Sequence, residues 1–307
     1  MSFIRPMNAA PFPDNFKFAP KAWVAERKFD GERLIVQVGG GPAKDLFTSK
    51  LVLAWARSGI ARELPEHLLR ALTILPDGIY DGELCVEGGK CYDVKRLTME
   101  KDRQYIIFDV LELIGVSTIG ETYDTRRAYL EEIFSREHIA ELTGIELAES
   151  WPLSSVDEIN ELKNKVWDDG GEGLILKRRA ARYTPGKRPK DFIKIKKCET
   201  AVLTVIGFEP SKGKIIDRGP FGTTVIQDTE GNITTVKTLN DFELDKLEKE
   251  DTPGIERKWE TVRVVGKGPV RMHTNHPAVG RKLRIEFQER TVDGSYREPR
   301  WDRWENE

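Results

Sequence analysis

The stretch that decides the reading is Glu26-Arg27-Lys28-Phe29-Asp30-Gly31-Glu32-Arg33, a lysine between two arginines that runs into an Asp-Gly pair. Such a pair turns one strand back on the next, so Trp23 to Glu26 and Arg33 to Val38 are expected to be strands on either side of it. Positive neighbours favour the neutral amine by like-charge repulsion, which makes Lys28 a candidate nucleophile. The competing reading is a charged hairpin without chemistry.

Working outward, Leu51 to Leu72 reads as helical with interruptions near Gly59 and Pro65, and Ile79 to Val86 and Tyr105 to Leu113 as strands. Asp124 to Leu142 and Ser155 to Asp168 have helical periodicity. The second opens on a capping box, Ser155-Val156-Asp157-Glu158, and stops at Gly170-Gly171. Leu174 to Leu176 and Phe192 to Lys196 read as further strands. This irregular alternation predicts an α+β domain of mainly antiparallel sheets with flanking helices. Beyond Glu199 come short strands, Val202 to Phe208, Thr223 to Asp228, Ile233 to Lys237, Thr261 to Val265 and Leu283 to Arg290, with one helix, Asn240 to Lys249. That pattern suits an OB-fold β-barrel. The expected domains are residues 1–199 and 200–307, with a hinge near Cys198 to Thr200.

With 39% hydrophobic and 33% charged residues, 307 in all, the chain has room for two domains and no apolar run of signal or membrane-span length. A cytoplasmic location is the expectation. Cys85, Cys91 and Cys198 form no close pair and are expected to be reduced, mostly buried thiols. His273 and His276, at H-x-x-H spacing without a third ligand, read as loop residues. The net charge of −2 conceals a contrast: ten Lys or Arg against Asp191 from Lys177 to Lys197, and nine acids against two lysines from Glu141 to Glu172. Lys194 and Lys196, two apart on a strand, share a face and can neutralise phosphate oxygens. No G-x-x-x-x-G-K-[ST] loop exists in the chain, so a nucleotide would be held another way.

Further motifs follow in order: Thr48-Ser49-Lys50, Asp81-Gly82-Glu83, Tyr105-Ile106-Ile107-Phe108-Asp109-Val110, Glu172-Gly173-Leu174-Ile175-Leu176-Lys177 and Asp191-Phe192-Ile193-Lys194-Ile195-Lys196. With Lys28-x-Asp30-Gly31-x-Arg33 they resemble the ordered motifs of the covalent nucleotidyltransferases, the polynucleotide ligases and messenger-RNA capping enzymes. Tyr183-Thr184-Pro185-Gly186-Lys187-Arg188, the paired Arg126-Arg127, and the ending Gly294-Ser295-Tyr296-Arg297-Glu298-Pro299-Arg300-Trp301 are similar to features of ATP-dependent DNA ligases, compact two-domain forms of viral, phage or bacterial accessory type.

The resemblance implies an adenylation (nucleotidyltransferase) domain followed by an OB-fold DNA-binding domain. It implies that Lys28 attacks the α-phosphate of ATP to form lysyl-AMP, that the AMP passes to the 5′-phosphate of a nick in duplex DNA, and that the 3′-hydroxyl then displaces it. It implies that Glu26 reads the base, that Phe108 and Ile175 stack on it, and that Arg33 and Glu83 contact the ribose. Ser49, Lys50, Lys177, Lys187, Lys194 and Lys196 complete the nucleotide site, and Glu83 and Glu172 are the ligands for Mg²⁺ (or Mn²⁺). The expected partner of the monomer is nicked double-stranded DNA, with no membrane.

Three positions depart from the pattern. Lys50 stands where arginine is usual and Phe192 where tryptophan is common. The last motif, R-x-D-K, is represented only by Arg300-Trp301-Asp302-Arg303 or Arg303-Trp304-Glu305-Asn306. The rival readings are an RNA ligase or capping-type nucleotidyltransferase, and an inactive OB-containing nucleic-acid-binding protein.

Overall fold

The computed structural model describes the chain except residues 1–2, 14, 40–49, 87–88, 90, 92, 96, 211–220, 239–243, 245–255, 266, 292–293 and 306–307. The chain divides into two compact units, Met1–Lys196 and Lys197–Glu307.

In chain order, the first unit contains β1 (Ala10–Pro11), β2 (Trp23–Lys28), β3 (Glu32–Val38), β4 (Val52–Ala56), β5 (Ala61–Arg62), α1 (Glu66–Ile74), β6 (Gly78–Val86), β7 (Arg103–Leu113), β8 (Val116–Ser117), α2 (Tyr123–Phe134), α3 (Glu137–Ala140), β9 (Ile145–Leu147), β10 (Ser150–Leu153), α4 (Val156–Asp168), β11 (Gly173–Arg178) and β12 (Phe192–Lys196). One sheet has the order β1-β12-β11-β2-β10, and the other runs β5-β4-β3-β6-β7-β8 with β9 added beside β7. All pairs are antiparallel except β1 with β12 and β9 with β7.

Alternation of side chains gives each sheet one outer and one inner face. The outer face of the β3–β6–β7 sheet, Leu34, Val36, Tyr80, Leu84, Tyr105 and Ile107, packs on Leu68 and Leu72 of α1 and Leu130 and Ile133 of α2. The outer face of the β2 sheet, Trp23, Ala25, Leu174, Leu176 and Ile193, packs on Ile159 and Val166 of α4. Between the inner faces lies a smaller cluster of Met7, Ile35, Ile79, Leu111, Tyr183 and Phe192, with Ile175 against it. The two inner faces therefore meet, with polar residues toward the ends of their strands.

Helix ends follow their caps. Thr122 accepts from Thr125 N–H to open α2, and Ser155 Oγ accepts from Glu158 N–H at 3.2 Å to open α4. The return bond from Glu158 goes to Ser154 N–H, one residue earlier than a capping box requires.

Leu51 to Leu72 corrects the sequence reading. Val52 to Ala56 is strand β4, paired with β3, and only Glu66–Ile74 is helical. Val52, Ala54 and Ala56 meet the core while Leu53 stays exposed, a period of two that the longer apolar pattern obscured.

The second unit is one seven-stranded sheet: β13 (Glu199–Pro210), β14 (Phe221–Gln227), β15 (Ile233–Lys237), β16 (Trp259–Val264), β17 (Gly268–His273), β18 (Lys282–Phe287) and β19 (Arg300–Trp304). The long β13 pairs with β14, β17 and β18, and Val265 N–H donates to Ile233 O at 3.1 Å, which brings the two ends of the path together. The curled sheet and the α+β character of the whole fit the class expected from sequence. β17 and β19 were not foreseen. Of the expected helix from Asn240 to Lys249, only Leu244, helical and buried, is among the described residues.

Of the two histidines read as loop residues, His276 lies in a loop and His273 ends β17; both are buried. His276 Nδ1 accepts from Ala278 N–H at 3.0 Å and its Nε2 lies 2.9 Å from Leu244 O, so its neutral tautomer is fixed. Of the three thiols only Cys85 is buried; Cys91 is half-buried and Cys198 exposed. Among the described residues no helix is long and apolar enough to cross a membrane.

Candidate active site

Register builds the site from strands far apart in sequence. Pairing of β2, β11 and β12 lays three rows across the inner face: Lys28–Gly173–Lys196, Glu26–Ile175–Lys194 and Val24–Lys177–Phe192. Gly173, at φ +149°, lets the neighbouring strand come close to the middle of the first row; a Cβ there would lie 2.0 Å from Ile195 O. Glu172, just before it, pairs with Lys28 Nζ through one oxygen and with Lys196 Nζ at 2.9 Å through the other. One carboxylate thus holds both lysines of the row.

The expected crowding of Lys28 by arginines is not what the geometry gives. Arg27, by alternation, belongs to the opposite face, where its Nε approaches Gly171. Arg33 is bound elsewhere: its Nε and a terminal nitrogen hold the two oxygens of Asp81 at 2.8 and 2.5 Å, and another donates to Met7 O at 2.8 Å. Asp81 is fully buried and also accepts from Tyr183 O–H at 2.6 Å, while that hydroxyl accepts from Met7 N–H. The guanidinium lies 5.1 Å from the Phe108 ring centre, close to the geometry of a cation–π contact.

Glu83, the Cα partner of Arg33, stands on the same inner face. Burial pushes its carboxyl up to about 7, Lys28 and Arg33 pull it back, and Asp81 and Glu172 add to the rise. A carboxyl so raised weakens the fold above its unfolded value: from about 4.5 the unfolded chain gives up this proton while the folded chain keeps it until about 7. Glu83→Gln should therefore gain nothing below pH 4.5, gain progressively up to 7 and level off above. The melting advantage over the parent at pH 8 should exceed that at pH 4 by about 7–14 °C. An advantage that does not change with pH would show that Glu83 titrates as an ordinary carboxylate.

Among the described residues no three His, Cys, Asp or Glu side chains gather to hold a metal. Two carboxylates do face the first row, Glu172 and the burial-raised Glu83, and Mg²⁺ typically takes one or two carboxylates plus the phosphates of its substrate. The residues present fit a metal that arrives with a nucleotide.

Lys177, expected at the nucleotide, is bonded within the protein. Its ammonium is buried, donating to Glu26 Oε1 at 2.8 Å and Phe108 O at 3.0 Å and lying 2.7 Å from Glu26 Oε2. Lys50, expected there too, stands away from the three rows. Val52 is opposite Val38, so Lys50 hangs at the far end of β3 from Arg33, paired with Asp77 at 3.1 Å and bonded to Leu75 O. The end of β4 beside Arg33 is instead Ala56, opposite Leu34, followed by the exposed Arg57, which sequence reasoning missed. An alternating run ending in Ala56-Arg57-Ser58 was the available signal.

Ser49 lies outside the described residues. Lys187 is exposed in the loop after Tyr183, its carbonyl accepting from Asn8 N–H, and lies outside the three rows. Arg126 is buried on Asp109, and Arg127 donates to Ala148 O and pairs with Glu131. Tyr123, buried against Glu26, carried no signal in the sequence; Tyr183, which opens the motif at residues 183–188, is buried against Asp81.

A sequence model described as the ATP dependent DNA ligase domain matches residues 6–196. The DNA ligase of Methanothrix thermoacetophila is 29% identical over 208 residues, covering 64% of this chain and 36% of that protein. The DNA ligase of Thermococcus onnurineus is 29% identical over 232 residues, covering 69% of this chain and 39% of its own. The chain thus spans little more than a third of these curated relatives. A solved structure from a study of Lig E DNA ligases and DNA binding with a minimal scaffold superposes with a TM-score of 0.66 at 18% identity, covering 99% of this chain and all of that one, a likeness of fold.

Proposed function

Because the chain belongs to the ATP dependent DNA ligase domain family, we propose that it is itself an ATP-dependent DNA ligase, sealing nicks in duplex DNA through AMP carried on Lys28. The first unit is then the adenylation domain and the second an OB-fold domain that binds DNA. The observation that carries the reading is the Lys28–Gly173–Lys196 row with Glu172 across it.

In this reading Lys28 Nζ attacks the α-phosphorus of ATP in line with the departing pyrophosphate. Glu172 must first release Lys28; Glu172 and Glu83 are the carboxylates that would hold a magnesium ion, which when bound would supply positive charge at the phosphates. Lys196 and Lys194, on the same face, would meet the charge of the phosphates. Ile175, between Glu26 and Lys194, offers an apolar surface for the base, with Phe108 on the facing sheet. Arg33, fixed by Asp81 and Met7 O, and Glu83 beside it are placed for the ribose. Arg57 and Lys187, exposed cations, are proposed to meet DNA phosphates. The enzyme is taken to act as a cytoplasmic monomer, an expectation carried over from the sequence.

The test is incubation with Mg²⁺ and α-labelled ATP or GTP, mapping of any acid-labile adduct, and then a comparison of nicked DNA with nicked RNA. AMP on Lys28 and joining of DNA support the proposal. A GMP adduct, or joining of RNA alone, would turn it toward the capping enzymes or RNA ligases.

A further inference from the structure

We propose that Tyr123 is a positioning residue that, with Lys177, fixes the Glu26 carboxylate as the reader of the nucleotide base, so that the site takes a purine with a 6-amino group and turns away one with a 6-carbonyl. The inference rests on the nucleotidyl-transfer reading above and adds to it the origin of base choice.

Glu26 occupies the middle row, next to Ile175, and is 2% exposed. A carboxylate has about four acceptor positions. Oε1 accepts from Tyr123 O–H at 2.6 Å and Lys177 Nζ at 2.8 Å, and Oε2 lies 2.7 Å from the same Nζ as an ion pair. Oε1 thus has two donors, and acceptor capacity is left on Oε2.

The clamp is itself held. Tyr123 is the first residue of α2, its N–H donates to Ala181 O at 2.8 Å, and its ring is 2% exposed. Burial, and then the neighbouring Glu26, push the phenol well above its ordinary range, so it remains a donor. Its oxygen lies 3.1 Å from Ser150 Oγ, and Ser150 is the Cα partner of Glu26. Since the phenol proton is directed at Glu26, the serine donates to the phenol, and a directed chain runs Ser150 to Tyr123 to Glu26. Lys177 is held in turn by its second hydrogen bond, to Phe108 O.

A salt-bridged carboxylate can only accept, so its free position matches an amino group. Facing a 6-carbonyl, it would set two acceptors against each other out of water, a mismatch that costs roughly 10²-fold or more in binding. Discrimination needs Oε2 to stay where it is. Without the phenol hydroxyl, Lys177 alone leaves the carboxylate free to roll about its last torsion.

The experiment measures initial rates of Lys28 labelling with ATP, GTP and purine riboside triphosphate, which lacks the 6-substituent, for the parent, Tyr123→Phe and Glu26→Gln. The parent should prefer ATP over both analogues. Tyr123→Phe should raise the KM for ATP about tenfold, leave kcat within about twofold, and shrink the preference for ATP over purine riboside triphosphate by the same factor. Glu26→Gln, whose amide N–H can face a carbonyl, should gain on GTP relative to ATP. If Tyr123→Phe lowers kcat or stability while every nucleotide ratio stays at the parent's value, or if Glu26→Gln keeps the parent's preference, the inference is overturned. A parent labelled by no nucleotide overturns the ligase reading itself, which separates the two failures.

Discussion

Lys28→Ala is expected to lower AMP uptake to background, a loss of at least about four orders of magnitude, because no other amine in the first row can replace it. Lys196 lies on the far side of Gly173, paired with the other oxygen of Glu172. Removing the Lys28 ammonium therefore leaves Glu172 with a partner, and the melting temperature should hardly move. Lys28→Arg sharpens the test, since arginine can keep an ion pair to Glu172 but is not a nucleophile; it should be equally dead. Both variants should still close a nick that already carries a 5′-adenylate. Normal labelling of either would remove Lys28 from the chemistry.

The largest effect on stability is expected at Arg126, which contributes nothing to the rows. It is 2% exposed, holds both oxygens of Asp109 at 2.6 and 3.0 Å, and donates to Glu121 O at 2.7 Å. Asp109 is 3% exposed and its other acceptance is from Val110 N–H. Arg126→Leu strands that carboxylate in the interior and should cost about 3–5 kcal/mol in urea unfolding. Removing both charges, as Arg126→Leu with Asp109→Leu, should recover much of the loss, because the penalty lies in the orphaned charge. A cost below about 1 kcal/mol for the single variant would mean that water reaches Asp109.

Alternation made one part of the site readable. Glu26 and Lys28, Ile175 and Lys177, and Lys194 and Lys196 are each two apart on a strand, and each pair does share a face. Which pair stands opposite which depends on register between residues some 150 positions apart, and no local pattern carries it. Lys177 shows the limit: its face was legible, but Glu26 across the strand decides what the ammonium binds. Lys50 fails differently, because a three-residue motif cannot be anchored when the strand beside it reads as a helix. Tyr123 was invisible, since a buried tyrosine reads as core until the carboxylate at its hydroxyl is seen, and Tyr183 was legible only as the start of a basic loop, without its bond to Asp81. In the second unit β17 opens on Gly268-Pro269 and alternates only over Val270 to Met272, and β19 is dense in charge, so neither stood out beside the other five.

The glycines on either side of Lys28 bear on how such a site can change over evolutionary time. A Cβ at Gly31 would lie 2.1 Å from Leu84 O, as one at Gly173 would lie 2.0 Å from Ile195 O. Both obstacles are main chain, and no substitution elsewhere removes a carbonyl. A descendant can exchange the base-reading or DNA-facing side chains one at a time, each repaired by a neighbour, whereas these two positions allow no compensated path. Drift toward new nucleotides or new polynucleotides is therefore channelled into the side chains around the lysine, and the backbone that presents it stays fixed.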